Sequence, residues 1–155
     1  MALFSGRSSH PVLSCADGLT AGSSDVLLLV GRVLFGWIFL ASGWAKLGNI
    51  AGTTGYFTNL GFPAPGFWAW FAGLAELGIG AAFIIGLATR YTAIVTFVWV
   101  LVATLIAHRY WAYPPAQQGG QYINFLKNIS IMGGALYVLV AGAGRYAVDA
   151  ALAKR

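Results

Sequence analysis

The sequence predicts an all-α membrane protein, a four-helix transmembrane bundle with a short interfacial segment between spans one and two. Of the 155 residues, 59% are hydrophobic and only 8% are charged, with a mean hydropathy of +0.75. A soluble domain carries about 25% charged residues, so this surface is too apolar for water. Four apolar stretches approach the roughly 20 residues that a membrane crossing needs. Together these observations leave room for one small membrane domain.

The chain divides into a polar N-terminal tail, a four-span domain and a short basic tail. The tail at 1–25 is rich in serine and glycine and is predicted to be mobile. Spans two and three follow each other almost directly, so they should form an antiparallel hairpin. The domain is expected at 26–149 and the basic tail at 150–155, with spans at 26–47, 67–87, 91–108 and 122–143.

The connector between the first two spans is too rich in glycine and proline for a continuous transmembrane helix. Its residues Tyr56, Phe57, Leu60 and Phe62 are nevertheless apolar enough to lie at the membrane interface. We therefore predict a short surface helix that ends near Gly61, followed by an extended turn.

The formal net charge of +5 comes from cations that lie mostly at span ends. That placement favours topology signals and contacts with the lipid bilayer over nucleic-acid binding. Four crossings put both termini on one side, and the cation bias predicts that this side is the cytoplasm. The single cysteine, Cys15, cannot form an internal disulfide or a dithiol pair, which argues against a quinone-coupled disulfide-forming enzyme.

One face of span one carries two cations. Arg32, Gly36, Phe39, Gly43 and Lys46 are spaced by four, three, four and three residues, so they share a helix face. A membrane helix with two cations on one face should turn that face toward protein rather than lipid. Span one is therefore the element that the other spans are expected to cover.

Glu76 lies near the middle of span two, roughly 13 Å from the start of the span at a rise of 1.5 Å per residue. An ionised carboxylate at that depth must be paired or protonated. One hypothesis is a structural ion pair between Arg32 and Glu76 that fixes helix register. The other is that Glu76 handles protons or a ligand, which would give it a catalytic role.

A second polar group is predicted at the outer end of the spans, on the side away from the two termini. Three helices bring these side chains to one level, where they could hold an anion, a lipid headgroup or the carbonyl oxygens of a quinone. The alternative is that the lysines simply extend toward lipid phosphates. The residues are Lys46, His108, Lys127 and Asn128, with Ser42 and Thr104 one turn further into the membrane.

His108 also raises the question of a metal or a haem. The other histidine, His10, lies in the tail, and no cysteine or carboxylate stands at a metal-site spacing from His108. We therefore predict neither a metal nor a haem.

A series of motifs in a fixed order resembles the DoxX family of small four-helix membrane proteins. The similarity covers about residues 26–149, and only the tails lie outside it. The motifs are RVLFGWIFLASGWAKL from Arg32, YFTNLGFPAP from Tyr56, AELGIG from Ala75, IIGLATR from Ile84, ATLIAHRYW from Ala103, KNISIMGG from Lys127 and GAGRYAVD from Gly142.

The resemblance implies a four-helix bundle in the bacterial inner membrane and a link to redox chemistry. It suggests a membrane subunit that is quinone-linked and works with a partner electron donor. The quinone head would lie near Lys46, His108 and Asn128, while Glu76 would carry protons. The alternative is a non-catalytic accessory subunit that docks on a larger membrane complex through glycine-rich helix faces. A transporter or channel component is a third interpretation, and it would require an oligomer.

Overall fold

The computed structural model describes residues 11–154, except for the side chains of residues 11–16, 19 and 21. Residues 11–154 contain no strand, and four of their helical segments are long and apolar enough to cross a membrane. The predicted all-α four-helix membrane bundle is confirmed. The helices are α1 Pro11–Gly48, α2 Ile50–Asn59, α3 Pro65–Ile85, α4 Thr89–Ala107, α5 Pro115–Ala141 and α6 Val148–Leu152, with a 3-10 helix at Tyr110–Ala112.

Two helices begin earlier than the sequence predicted. Helix α1 begins at Pro11, so much of the predicted tail at 1–25 is helical; residues 1–10 lie outside the described residues. Helix α5 begins at Pro115 rather than at residue 122. Proline is well tolerated in the first turn of a helix, and the glycines that follow weaken each helix without breaking it. The hydropathy boundary therefore does not mark the end of the helix.

Helix α2 is the predicted interfacial helix. Asn49 is its N-cap, and the Asn49 side chain accepts a hydrogen bond from the Gly52 amide at 3.0 Å. The helix is followed by Gly61, where φ is +77°. The ring of Phe62 then packs edge-on against Phe57 and Trp68, with centroid distances of 5.2 and 5.4 Å. These aromatic contacts hold α2 against α3. We call this end of the bundle the α2 end and the opposite end the α6 end.

The four spanning helices form two closely packed pairs. Helix α1 packs mainly on α3, and α4 packs mainly on α5. Glycines allow the first pair to approach backbone to backbone. A Cβ atom on Gly43 would lie 2.7 Å from the Gly73 carbonyl oxygen, and one on Gly80 would lie 2.6 Å from the Leu40 amide nitrogen. Both distances are shorter than real Cβ contacts, so these positions require glycine.

The two pairs meet along an apolar core that fills the middle of the bundle. Phe83 is fully buried there, and its ring contacts Phe35 of α1 edge-on at 5.0 Å. All four spanning helices contribute to this core, which consists of Phe39, Ile79, Phe83, Ala93, Val100 and Met132.

The α6 end is closed by a carboxylate from the chain that follows α5. The two oxygens of Asp149 accept hydrogen bonds from the amides of Ala88 and Thr89, at 2.6 and 2.8 Å. The Asp149 amide in turn donates to the Gly86 carbonyl at 3.0 Å. A carboxylate is favoured at this position because the first amides of α4 have no partners within their own helix. We call these contacts the Asp149 clasp.

Arg32 reinforces the same end. It is 3% exposed, and its guanidinium donates to the carbonyl oxygens of Ala143 and Tyr146 at 3.0 and 2.6 Å. The Arg145 amide donates to the Asp25 side chain at 2.9 Å. The segment after α5 is therefore tied to α1 as well as to the turn between α3 and α4.

We expect Gly43→Ala and Gly80→Ala each to lower the free energy of unfolding by about 1–3 kcal/mol, because the added methyl group would force the α1 and α3 backbones apart. Thermal unfolding of the purified protein in detergent would measure this. The matched controls are Gly31→Ala in α1 and Gly78→Ala in α3, where a Cβ atom meets nothing within 4 Å. Equal losses for all four variants would contradict close packing at Gly43 and Gly80.

We also expect Asp149→Asn to make the free energy of unfolding less dependent on pH in the acid range. Burial acts to raise the Asp149 pKa, but hydrogen bonds from Thr89 and Ala88 and the charge of Arg32 outweigh it and hold the pKa below its usual value. With a lowered folded pKa, the stabilisation is complete above the unfolded pKa of about 3.9 and is lost as the pH falls through the folded pKa. Unfolding temperatures from pH 6 downward would show the difference. Lys154→Ala is the control for a charge change at the same end.

Candidate functional site

Two adjoining cavities lie at the α2 end, between the two helix pairs. Their volumes are about 120 and 430 Å³. The larger one alone lies within the range of roughly 300–1,000 Å³ that is typical of small-molecule sites. We call the combined space the site cavity. The residues that line both parts are Ser42, Lys46, Glu76, Trp99, Ala103, His108 and Lys127.

A salt bridge lies on the wall of the site cavity. Lys46 Nζ is 2.6 Å from Glu76 Oε2 and donates a second hydrogen bond to Ser42 Oγ at 2.7 Å. The side chains are 28% and 12% exposed, so both charges keep some access to the cavity. The two polar groups that the sequence treated separately, Glu76 and the group around Lys46, are one cluster.

The predicted ion pair between Arg32 and Glu76 is wrong. Because Gly43 meets Gly73 and Gly36 meets Gly80, Glu76 lies level with the turn of α1 around residue 41. Arg32 is nine residues away, roughly 14 Å along the helix, and its guanidinium is held at the α6 end. Lys46 is much nearer, and side chains on a helix lean toward its N-terminus, which directs Lys46 toward Ser42 and Glu76.

His108 caps the end of α4 and faces α5. Its Nδ1 is 2.8 Å from Gln121 Oε1. In the tautomer that carries its hydrogen on Nδ1, the ring donates to this amide oxygen. In the neutral imidazole the other nitrogen, Nε2, is then a hydrogen-bond acceptor. The sequence did not indicate Gln121, because the fourth span was predicted to begin at residue 122, which hid the helical register that places Gln121 beside His108.

The remaining predicted site residues divide between the cavity and the core. Lys127 lines the cavity and donates to Asn124 Oδ1 at 3.0 Å, while Asn128 lines the smaller part. Asn128 Nδ2 donates to Thr104 Oγ1 at 2.9 Å, and Thr104 donates to the Val100 carbonyl at 2.6 Å. Thr104 is 2% exposed and lines neither part of the cavity, so its side chain links α4 to α5.

Six aromatic side chains line the larger part of the site cavity. The sequence predicted an interfacial position for Tyr56, Phe57 and Phe62, because only the folded arrangement brings α2, α3 and α4 around one space. Phe71 of α3 and Trp99 of α4 bridge the two pairs with ring centroids 5.7 Å apart. Burial, helped by the neighbouring Tyr113, raises the pKa of Tyr56 to about 12, so its phenol is neutral. The aromatic wall consists of Tyr56, Phe57, Phe62, Trp68, Phe71 and Trp99.

Comparison with known proteins agrees with the motif order. The sequence model of the DoxX family matches residues 27–109, which is more than half of the chain. The chain belongs to the DoxX family. Its matched segment covers α2 and α3, most of α1, and α4 with His108, and therefore most of the site cavity. No solved structure matches this DoxX protein at a significant level.

The curated relatives are similar along most of their length. The Escherichia coli inner membrane protein YqjF is 35% identical over 131 residues, covering 84% of this chain and 95% of YqjF. The E. coli inner membrane protein YphA is 33% identical over 124 residues, covering 80% of this chain and 89% of YphA. The uncharacterized membrane protein Rv3486 of Mycobacterium tuberculosis is 28% identical over 135 residues, with 80% of each chain covered. With four apolar spans, this DoxX protein is a multi-pass inner membrane protein.

We expect Lys46→Met and Glu76→Gln to be coupled in a double-mutant cycle. Each single variant leaves a charged partner without its counterion and should lower stability by about 1–3 kcal/mol. The double variant should lose less than the sum of the two. Thermal unfolding in detergent would measure all three, with Lys127→Met as a control, since Lys127 is exposed and pairs only within its own helix among the contacts described. Additive losses would contradict direct pairing.

Proposed function

We propose that the site cavity binds the head of a quinone and that the chain is the membrane subunit of a quinone-linked redox system. The observation that carries the proposal is the mixed polar cluster on an aromatic-walled cavity. The Lys46 ammonium is a donor suited to a quinone carbonyl oxygen. Glu76 and Nε2 of His108 are acceptors suited to the hydroxyl groups of the reduced form. A site that has to hold both forms needs both kinds of group.

The residues of the cavity are suited to proton exchange. A bound quinone would supply two-electron redox chemistry, with two protons taken up when it is reduced and released when it is oxidised. Glu76 holds its position through Lys46, and this pair offers one exchange group close to the cavity. His108, held through Nδ1 by Gln121, offers a second at Nε2. The catalytic role proposed for Glu76 is proton handling of this kind.

The electrons have to come from another protein or from a soluble donor. The chain has a single cysteine and no dinucleotide-binding or phosphate-binding motif. A partner electron donor, either in the membrane or at its surface, therefore completes the proposal. We also propose that both termini face the cytoplasm, supported by Arg90, Arg145 and Lys154 at the α6 end. The site cavity then lies toward the opposite membrane face.

The alternative of an accessory subunit rested partly on glycine-rich faces that a partner could approach. Gly73 and Gly80 of α3 are packed against α1, and Gly134 of α5 is packed against Phe35. Those glycines serve contacts within the chain, so their presence gives no support to docking. A stoichiometric membrane partner that copurifies with the chain while the chain holds no quinone would favour this alternative.

Quinone binding can be tested directly through the tryptophans of the cavity wall. Trp68 and Trp99 line the cavity, so a bound quinone should quench their fluorescence. We expect saturable quenching in the wild type. His108→Phe and the double variant Lys46→Met/Glu76→Gln should each weaken the affinity for the quinone by about tenfold or more. This is the effect expected when one hydrogen bond to a charged or polar group is lost. Extraction of quinone from protein purified gently at native expression would support the same conclusion.

The control for this experiment is Arg109→Ala, which removes a cation next to His108 but outside both parts of the cavity. Its quenching curve should match that of the wild type. Quenching that does not saturate, or that is the same in the His108→Phe variant, would contradict a quinone site at this position.

A further inference from the structure

We propose that the ligand of the site cavity enters from the bilayer through a gap between α3 and α4, and that the site therefore selects quinones with a long apolar tail over water-soluble quinones. This inference rests on the proposed function. It adds the route of entry and the class of substrate, and both follow from where the cavity meets the outside of the bundle.

Helices α3 and α4 are held together by hydrogen bonds at the α6 end. At the α6 end the chain turns within residues 86–88, and the Asp149 clasp holds that turn. Away from it, each helix packs mainly on a helix of its own pair rather than on the other. Toward the α2 end the larger part of the site cavity lies between them, with the Phe71–Trp99 contact on its wall. The larger part of the cavity therefore lies at the boundary between α3 and α4, beside the Phe71–Trp99 contact.

The wall of the cavity continues onto the lipid-facing surface. Val102 and Ile106 of α4 line the larger part of the cavity, yet they are 48% and 37% exposed. Phe71 on the opposite side of the gap also lines the cavity and is 45% exposed. All three lie in membrane-spanning helices, so the medium at their exposed surfaces is hydrocarbon. A molecule that occupies the cavity can extend past them into lipid without meeting water.

The arrangement of polarity selects an amphipathic ligand. The polar cluster of Lys46, Glu76 and His108 belongs to the wall shared by both parts of the cavity, while the wall beside the gap is apolar. Helix α2 covers the cavity with Tyr56 and Phe57 and carries no charged residue. A quinone head at the cluster would direct its substituent between α3 and α4. A tail there would contact Val102 and Ile106 and replace lipid at the gap.

The test compares two quinones with the same ring, one with a decyl tail and one without a tail, on protein reconstituted in lipid nanodiscs. Val102→Trp and Ile106→Trp narrow the gap without touching the polar cluster. Leu105→Trp is the matched control, because Leu105 is 54% exposed at the same depth of α4 but does not line the cavity. Quenching of protein fluorescence gives the dissociation constant and the association rate for each quinone.

We expect the wild type to bind the decyl quinone at least tenfold more tightly than the tail-less quinone. The two gap variants should slow association of the decyl quinone about tenfold and leave binding of the tail-less quinone unchanged, while Leu105→Trp resembles the wild type. The lateral route would be overturned if the wild type bound both quinones with equal affinity, or if the gap variants left the binding of both quinones unchanged. Either result would leave the quinone site itself standing. Absence of saturable binding for either quinone would overturn the proposed function as well.

Discussion

The close approach of α1 to α3 is the constraint on which the site depends. Gly36, Gly43, Gly73 and Gly80 remove the side chains that would otherwise separate the two backbones. Lipid tails are as apolar as leucine, so in a membrane such contacts must come from packing rather than from the hydrophobic effect. The contact also sets a register. In that register Glu76 lies level with the α1 turn that carries Ser42 and is within reach of Lys46, and a shift along either helix would separate the two charges.

The Lys46–Glu76 pair shows how the bundle can carry charge within a membrane. Each charge alone is costly in hydrocarbon, and together they satisfy one another and a serine hydroxyl. The pair also keeps some exposure to the cavity, unlike the 3% exposed Arg32, which is held by backbone carbonyls. This difference separates a group that is available to a ligand from one that belongs to the framework.

The sequence predicted the spans, the interfacial helix and most of the cavity-lining polar residues, because hydropathy and glycine placement are local signals. The sequence-based prediction failed where the partner of a residue depended on the register between two helices. Arg32 looked like the partner of Glu76 because depth was counted from the ends of two predicted spans, and neither count contained the glycine contacts. Gln121 was missed because the fourth span was predicted to begin at residue 122, whereas α5 begins at Pro115. The aromatic wall was missed because Tyr56, Phe71 and Trp99 lie on three different helices, and no local pattern brings them together.

Because of the Asp149 clasp, the helices are held together more firmly at the α6 end of the bundle than at the α2 end. At the α6 end, the segment after α5 is attached to α1 and to the α3–α4 turn through partly buried hydrogen bonds. At the other end, the two helix pairs are separated by the cavity and covered by a ten-residue helix. Relative motion of the four helices should therefore be smallest at the Asp149 clasp and largest at the site cavity. A substitution that weakens the clasp should then change the relative motion of the helices around the site cavity, although it replaces no residue of the site.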